Sequence, residues 1–289
     1  MPIRATTVVG QFYPSDRTEC ARAVEQAMGQ HQPLAAERVF GGIAPHAGWI
    51  FSGACAGYLF SALRDQSYCP DTVVLFGAVH YPGVSTASAY GSGAWRTPLG
   101  DLAVDAELAQ AALDSDRDGL LVDEPRAHAH EHAIEVQLPF VRFCWPDVCI
   151  LPVAVTPSRS AETVGRTIAS SAQSLGREIV VVGSSDLTHY GPRYGMAPAG
   201  IGQPALDWTH ANDRGLLDEA VAMRPEGVLR QASTQHNACG AGAIAATIAC
   251  CRELGAEQGR LLHYTTSHEV YPMGRASDLV GYGAVAYCR

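Results

Sequence analysis

The chain has 289 residues, with 20 Lys+Arg against 29 Asp+Glu and a formal net charge of −9. Hydrophobic residues make up 47% and charged residues 17%, which excludes a disordered chain, because such chains are poor in apolar residues and dense in charge. The acidic balance, with no run of Lys or Arg, argues against a nucleic-acid binder.

The opening MPIRATTVVGQFYPSDR has no apolar stretch of signal-peptide length, and no window reaches the roughly 18 consecutive apolar residues of a membrane span. Nine cysteines, none of them in a CxxC pair, read as reduced thiols and not as a disulfide framework or a zinc ribbon. A soluble cytoplasmic protein is expected.

Apolar runs of strand length fall at residues 39–44, 72–76, 149–155, 178–183, 261–266 and 282–287. Helical patterns lie between them at 52–63, 105–113, 131–143, 161–175, 206–222 and 240–254. Runs such as TVVLF and EIVVVG are apolar throughout, as suits strands covered on both faces. This alternation predicts an α/β fold with a central, mostly parallel or mixed β-sheet flanked by helices. Nothing divides the chain, so residues 1–289 are read as a single domain; the Gly- and Pro-rich stretch 191–203 is read as a long surface loop.

Three predicted strands run directly into ionisable residues. GGIAPHAG places His46 after the first, VVLFGAVHY places His80 after the second, and VVVGSSDLTHY places Asp186 and His189 after the fourth. Ligands of open α/β sheets bind at the carboxyl ends of strands, so parallel neighbours would bring these residues to one site. A second cluster, AHAHEHAIEVQLPF, holds His128, His130, Glu131, His132 and Glu135. On a helix over 131–143, Glu131 and Glu135 are one turn apart; they serve either a ligand or a solvated acidic face. The HxHxH spacing could also bind a metal from an extended loop. In the third cluster, HNACGAGAIAATIACC, Asn237 is a helix cap, and Cys239 near the helix N-terminus is expected to favour the thiolate that binds metals or attacks electrophiles.

The stretches IAPHAGWIFSG, FGAVHY, WRTPLGDLAVD, HEHAIEVQLPF, LPVAV, VVGSSDLTHYG, NACGAGAI and SDLVGYGAVAY resemble the Memo family, whose bacterial members are called AmmeMemoRadiSam system protein B. The resemblance implies a fold similar to class III extradiol (LigB-type) dioxygenases and a metal site on His46, His80 and Cys239. Those enzymes carry Fe(II), with Cu as the alternative here because a thiolate stands where they use a carboxylate. It also implies a pocket with His189 as general acid/base and Asp186 fixing its tautomer or orienting a water. His132, Glu135 and Glu131 would be groups supporting the ligands or contacting substrate. The aromatic residues Trp49, Tyr81, Trp95, Tyr190 and Tyr194 are expected at the pocket rim. The function expected is a metal-dependent redox enzyme acting on an unknown small molecule. The alternatives are a copper- or iron-binding protein without turnover, a dioxygenase-like pocket that binds a peptide or protein, and a Zn-dependent hydrolase. The family name further implies a radical-SAM protein of the same system as a partner.

Overall fold

The computed structural model of the protein describes residues 2–29, 34, 38–66, 68–81, 84 and 86–289. Its first third contains β1 (Ile3–Arg4), α1 (Arg17–Met28), β2 (Val39–Ala44), α2 (Trp49–Arg64), β3 (Thr72–Gly77), β4 (Ala87–Ala89), β5 (Ala94–Trp95) and β6 (Leu102–Ala103). The middle holds α3 (Ala106–Ser115), β7 (Leu121–Asp123), α4 (Leu138–Cys144), β8 (Cys149–Ala154), α5 (Ser160–Ser174), β9 (Ile179–Ser184) and β10 (His189–Tyr190). The last third is α6 (Gln203–Val221), α7 (Pro225–Gln235), α8 (Ala241–Glu253), β11 (Gln258–Thr266), α9 (Ser267–Val270) and β12 (Leu279–Cys288). Short 3-10 turns lie at Pro125–His128, Glu135–Gln137 and Pro192–Tyr194.

Strands β2, β9, β3 and β8 are parallel neighbours in that order and form the centre of the large sheet. On one side β12 runs antiparallel to β2 and pairs with β11 along its other edge; on the other, β4 runs antiparallel to β8 and pairs with β7. A separate small sheet joins β1, β5 and β6. The alternation of side chains along a strand gives each face its own core. Val73, Leu75, Val180 and Val182 pack with α1, α2 and α4, while Val74, Phe76 and Val181 pack with α3, α5, α6 and α8. Both faces are thus covered, which explains why these strands are apolar throughout.

Helix α8 is built almost wholly of small residues, and this lets it approach its neighbours closely. A Cβ on Gly165 of α5 would lie 2.2 Å from the Ala246 carbonyl oxygen, so the α5–α8 contact admits only glycine there. No helix among the described residues is long and apolar enough to cross a membrane.

The α/β architecture and the six strands match the sequence expectation, but the helix expected at 131–143 begins only at Leu138. Glu131 folds back, its Oε1 accepting the N–H groups of His132 (2.8 Å) and Ala133 (2.9 Å). Local side-chain bonds of this kind compete with helical ones. Glu131 and Glu135 are therefore not successive turns of one helix. The loop at 191–203 is present, tightened by the turn at Pro192–Tyr194.

Candidate metal centre

Three adjacent parallel strands end beneath one cavity. Ala44 of β2 lies opposite Ser184 of β9, and Gly183 opposite Phe76 of β3, so the three carboxyl ends are level. β2 then delivers His46, β9 delivers Asp186, and the segment after β3 delivers His80. His132 arrives from the loop between the 3-10 turns. Its ring stacks on His80 with centroids 4.9 Å apart, and the His46 ring stands edge-on to both, at 5.2 Å from His80 and 5.5 Å from His132. One nitrogen of each ring lies within 4.8 Å of the other two, the spacing of a metal-binding group.

Each ring is held from behind. The Glu131 carboxylate accepts from His80 Nδ1 at 2.9 Å and from the His80 N–H at 2.7 Å. A carboxylate can only accept when ionised, so His80 carries its proton on Nδ1 and its Nε2 is left as a donor to a metal. Burial alone would raise the Glu131 carboxyl, but the bonds from His80 hold it down at about 2. Burial pulls His80 down, yet the Glu131 bond and charge leave it above the ordinary imidazole value. Burial holds His46 at about 4, and burial together with the His80 charge lowers His132. His46 and His132 are therefore neutral near pH 7, the state in which imidazole binds metals. The Asp186 Oδ1 accepts the His46 backbone N–H at 2.7 Å, tying the ends of β2 and β9 together.

Cys239 enters from the start of α8. Its N–H bonds to the Asp186 carbonyl at 3.3 Å, and the Gly240 N–H to Ser185 Oγ at 2.9 Å; a Cβ on Gly240 would lie 2.5 Å from the Ser184 carbonyl oxygen. Only glycine lets α8 start this close to β9. The Cys239 Sγ sits 3.3 Å from His46 Nε2. Two ligands of one metal, bound at about 2.0–2.3 Å, are themselves about 3.1–3.6 Å apart, so the sulfur lies at ligand spacing from His46, while the group whose atoms all lie within 4.8 Å of one another is the three imidazoles alone. The thiolate expected at this helix end is not what its surroundings favour: burial and the nearby Asp186 charge push the thiol well above its usual value. Asn237 does not cap α8; the N-cap is Gly240, and Asn237 Nδ2 donates to the Asn212 carbonyl.

A cavity of about 580 Å³ opens over the three imidazoles, and Asp186, His189 and Tyr194 also line it. The His189 Nδ1 lies 3.0 Å from the Leu187 carbonyl, which can only accept, so the basic nitrogen of His189 is Nε2. That carbonyl, and not Asp186, fixes the His189 tautomer. Arg193 and Arg275 stand on the outer wall, and neither is ion-paired with a described residue.

The chain matches the Memo-like protein family over residues 4–286. It belongs to that family. A MEMO1 family protein of Thermococcus onnurineus is 34% identical over 99% of both chains, and one of Pyrococcus furiosus is 35% identical over 98% of both. A solved structure, that of an uncharacterized protein of Escherichia coli K12, aligns with a TM-score of 0.44 at 12% identity, over 75% of this chain and 86% of that one.

Several residues expected at this Memo site lie elsewhere. Glu135 is fully buried, with both oxygens occupied by Arg4, Thr7, Val8 and Tyr13, so it anchors the N-terminal segment instead of contacting substrate. Trp49 packs on Tyr13 and Phe140, Trp95 lies under the Arg4 guanidinium, and the Tyr190 hydroxyl bonds to the Gly200 carbonyl. Tyr81 is 48% exposed near His130 and does not line the cavity, whereas Tyr194 does. Of the HxHxH trio, His128 is buried against the Ser88 carbonyl, His130 is exposed, and only His132 joins the cluster. The sequence marks Ser184 only as a small residue allowing close approach, not as a hydrogen-bonding group, and does not point to Gln137, Arg193 or Arg275. Ser184 lay in the same GSSD motif as Asp186, which was the available signal.

Proposed function

We propose that this Memo family member is a metal-dependent redox enzyme in which His46, His80 and His132 hold one Fe(II), with Cys239 beside them as a further ligand. The observation that carries the reading is the convergence of three imidazole nitrogens within 4.8 Å at the floor of a cavity, with His80 oriented by a buried carboxylate. Iron is chosen on the resemblance to extradiol dioxygenases, since imidazole donors also suit zinc and copper. Held by these residues, such an ion would supply a Lewis acid able to exchange an electron at the floor of the cavity. His189, basic at Nε2, takes a proton from the substrate or returns one, and Asp186 orients a water or a substrate hydroxyl. Arg193 and Arg275, without an ion pair among the described residues, favour a small substrate that carries an anionic group.

The test is elemental analysis of protein purified without oxygen. Wild type should hold iron near one per chain, and the double variant His46→Ala/His80→Ala should hold none; metal content unchanged in the double variant overturns the proposal. A second reading, copper sequestration without turnover, is favoured by the Cys239 sulfur 3.3 Å from His46 Nε2. It predicts copper in place of iron, loss of that copper in Cys239→Ser, and no oxygen uptake.

A further inference from the structure

We infer that Ser184, with Gln137 bonded behind it, is a positioning residue whose hydroxyl locks His46 in the Nδ1–H tautomer, so that its Nε2 lone pair faces Cys239 and the histidine cluster. Four hydrogen bonds leave no other arrangement. The Gln137 side-chain nitrogen lies 2.8 Å from the Pro45 carbonyl and 2.9 Å from Ser184 Oγ. A carbonyl has no proton to give, so Gln137 must present its amide N–H₂ there; the flipped amide would set two carbonyl oxygens 2.8 Å apart. Its second proton therefore goes to Ser184 Oγ.

Ser184 Oγ also lies 2.7 Å from the Ala133 carbonyl, which again can only accept. The single hydroxyl proton of Ser184 is committed to that bond. His46 Nδ1, 3.0 Å from Ser184 Oγ, then finds an oxygen with a free lone pair and no proton to offer. Nδ1 must be the donor. Nε2 is left unprotonated, 3.3 Å from the Cys239 sulfur. His46, Gln137 and Ser184 are all buried, so no water competes for these bonds.

The relay also links elements that build the site. Pro45 follows β2, Ser184 ends β9, and Ala133 follows His132, so the bonds that set the tautomer also hold the His132 loop against the sheet. His80 reaches the same tautomer by a different route, through the Glu131 carboxylate. A neutral hydroxyl suits His46, because a second carboxylate there would add an uncompensated buried charge.

This inference deepens the metal reading above but is measured on the metal-free protein, so the two can fail separately. The measurement is the histidine side-chain 15N spectrum near pH 7, with His46 assigned by its absence in His46→Ala. A protonated Nδ1 and a bare Nε2 in wild type are expected; a protonated Nε2 overturns the inference whether or not metal binds. Ser184→Ala should bring in the Nε2–H form and weaken binding of cobalt(II), added alone, by about 10–100-fold. Gln137→Met leaves the Ser184–His46 bond in place and should keep the wild-type tautomer. A Ser184→Ala protein that keeps the pure Nδ1–H form also overturns the inference; if that variant fails to fold, the wild-type spectrum decides.

Discussion

Glu131 and Glu135 are close in sequence and have separate partners. Glu131 accepts from the backbone N–H of His80, His132 and Ala133 as well as from the His80 ring, so its charge is spent on shaping the cluster. Glu135 accepts from Arg4 at 2.5 Å, from the Thr7 and Val8 N–H groups and from the Tyr13 hydroxyl, and fastens the first residues of the chain beneath the His132 loop. Both members of the Arg4–Glu135 pair are buried. Removing one partner of such a pair leaves a charge in a low-dielectric interior, a loss of about 3–5 kcal/mol. Glu135→Gln is the sharpest probe, because the amide N–H₂ would be forced to face either Arg4 or the Thr7 N–H, a donor against a donor. Urea denaturation should show a loss of that size, and a loss below about 1 kcal/mol would mean that the pair contributes little net stability. Burial opposes ionisation of Glu135, but the Arg4 bond leaves its carboxyl below the ordinary value.

At the scale of elements, what could be read from the sequence followed from run length. The central strands are six residues each and covered on both faces, so their apolar runs stand out, and His46, His80 and Asp186 were found because each follows one of them. Strands β1, β5, β6 and β10 have two residues apiece, too short to carry any period. Helix α1 buries only Cys20, Val24 and Met28, a narrow stripe in a polar segment, and the sequence reading passed over it. Tyr190 follows His189 on β10, and alternation sends neighbouring side chains to opposite faces, which is why closeness in sequence misplaced it. Choosing His132 from the HxHxH trio needed the backbone path that Glu131 dictates. Asp213 of α6 was likewise invisible as a linchpin. It accepts the Thr188 N–H at 2.9 Å and the Tyr264 hydroxyl at 2.8 Å, joining α6 to the β9–β10 loop and to β11. Burial lifts its carboxyl to about 6 from the ordinary 3.8. Between those values the folded chain binds more protons than the unfolded one, so this group makes stability fall as pH rises from about 4 to about 6, and the penalty stays constant above that. Asp213→Asn removes the titration. Its stability relative to wild type should therefore improve between pH 4 and pH 7 by up to about 3 kcal/mol. Chemical denaturation of both proteins at the two pH values checks it, and a difference that does not change with pH contradicts it.

For the molecule as a whole, the three clustered imidazoles and the Cys239 sulfur beside His46 come from four distant points of the chain, residues 46, 80, 132 and 239. They meet only when β2, β3 and β9 are aligned, the His132 loop is folded back by Glu131, and α8 is seated against β9 through Gly240. An unfolded chain presents no such cluster, so a metal bound here stabilises the native state alone. The gain is set by mass action, about 2.7 kcal/mol when free metal stands at 100 times its dissociation constant. Unfolding entropy of about 2 cal/mol/K per residue makes that a rise of about 4 °C in Tm for a chain of this length. Thermal unfolding without oxygen, with iron(II) added in steps, should show a midpoint that climbs with the logarithm of the metal concentration. His46→Ala/His80→Ala should show no such climb, even if its own midpoint is lower, because two of the four donors are gone. Equal shifts in both proteins would place the stabilising ion somewhere other than the ends of the central strands.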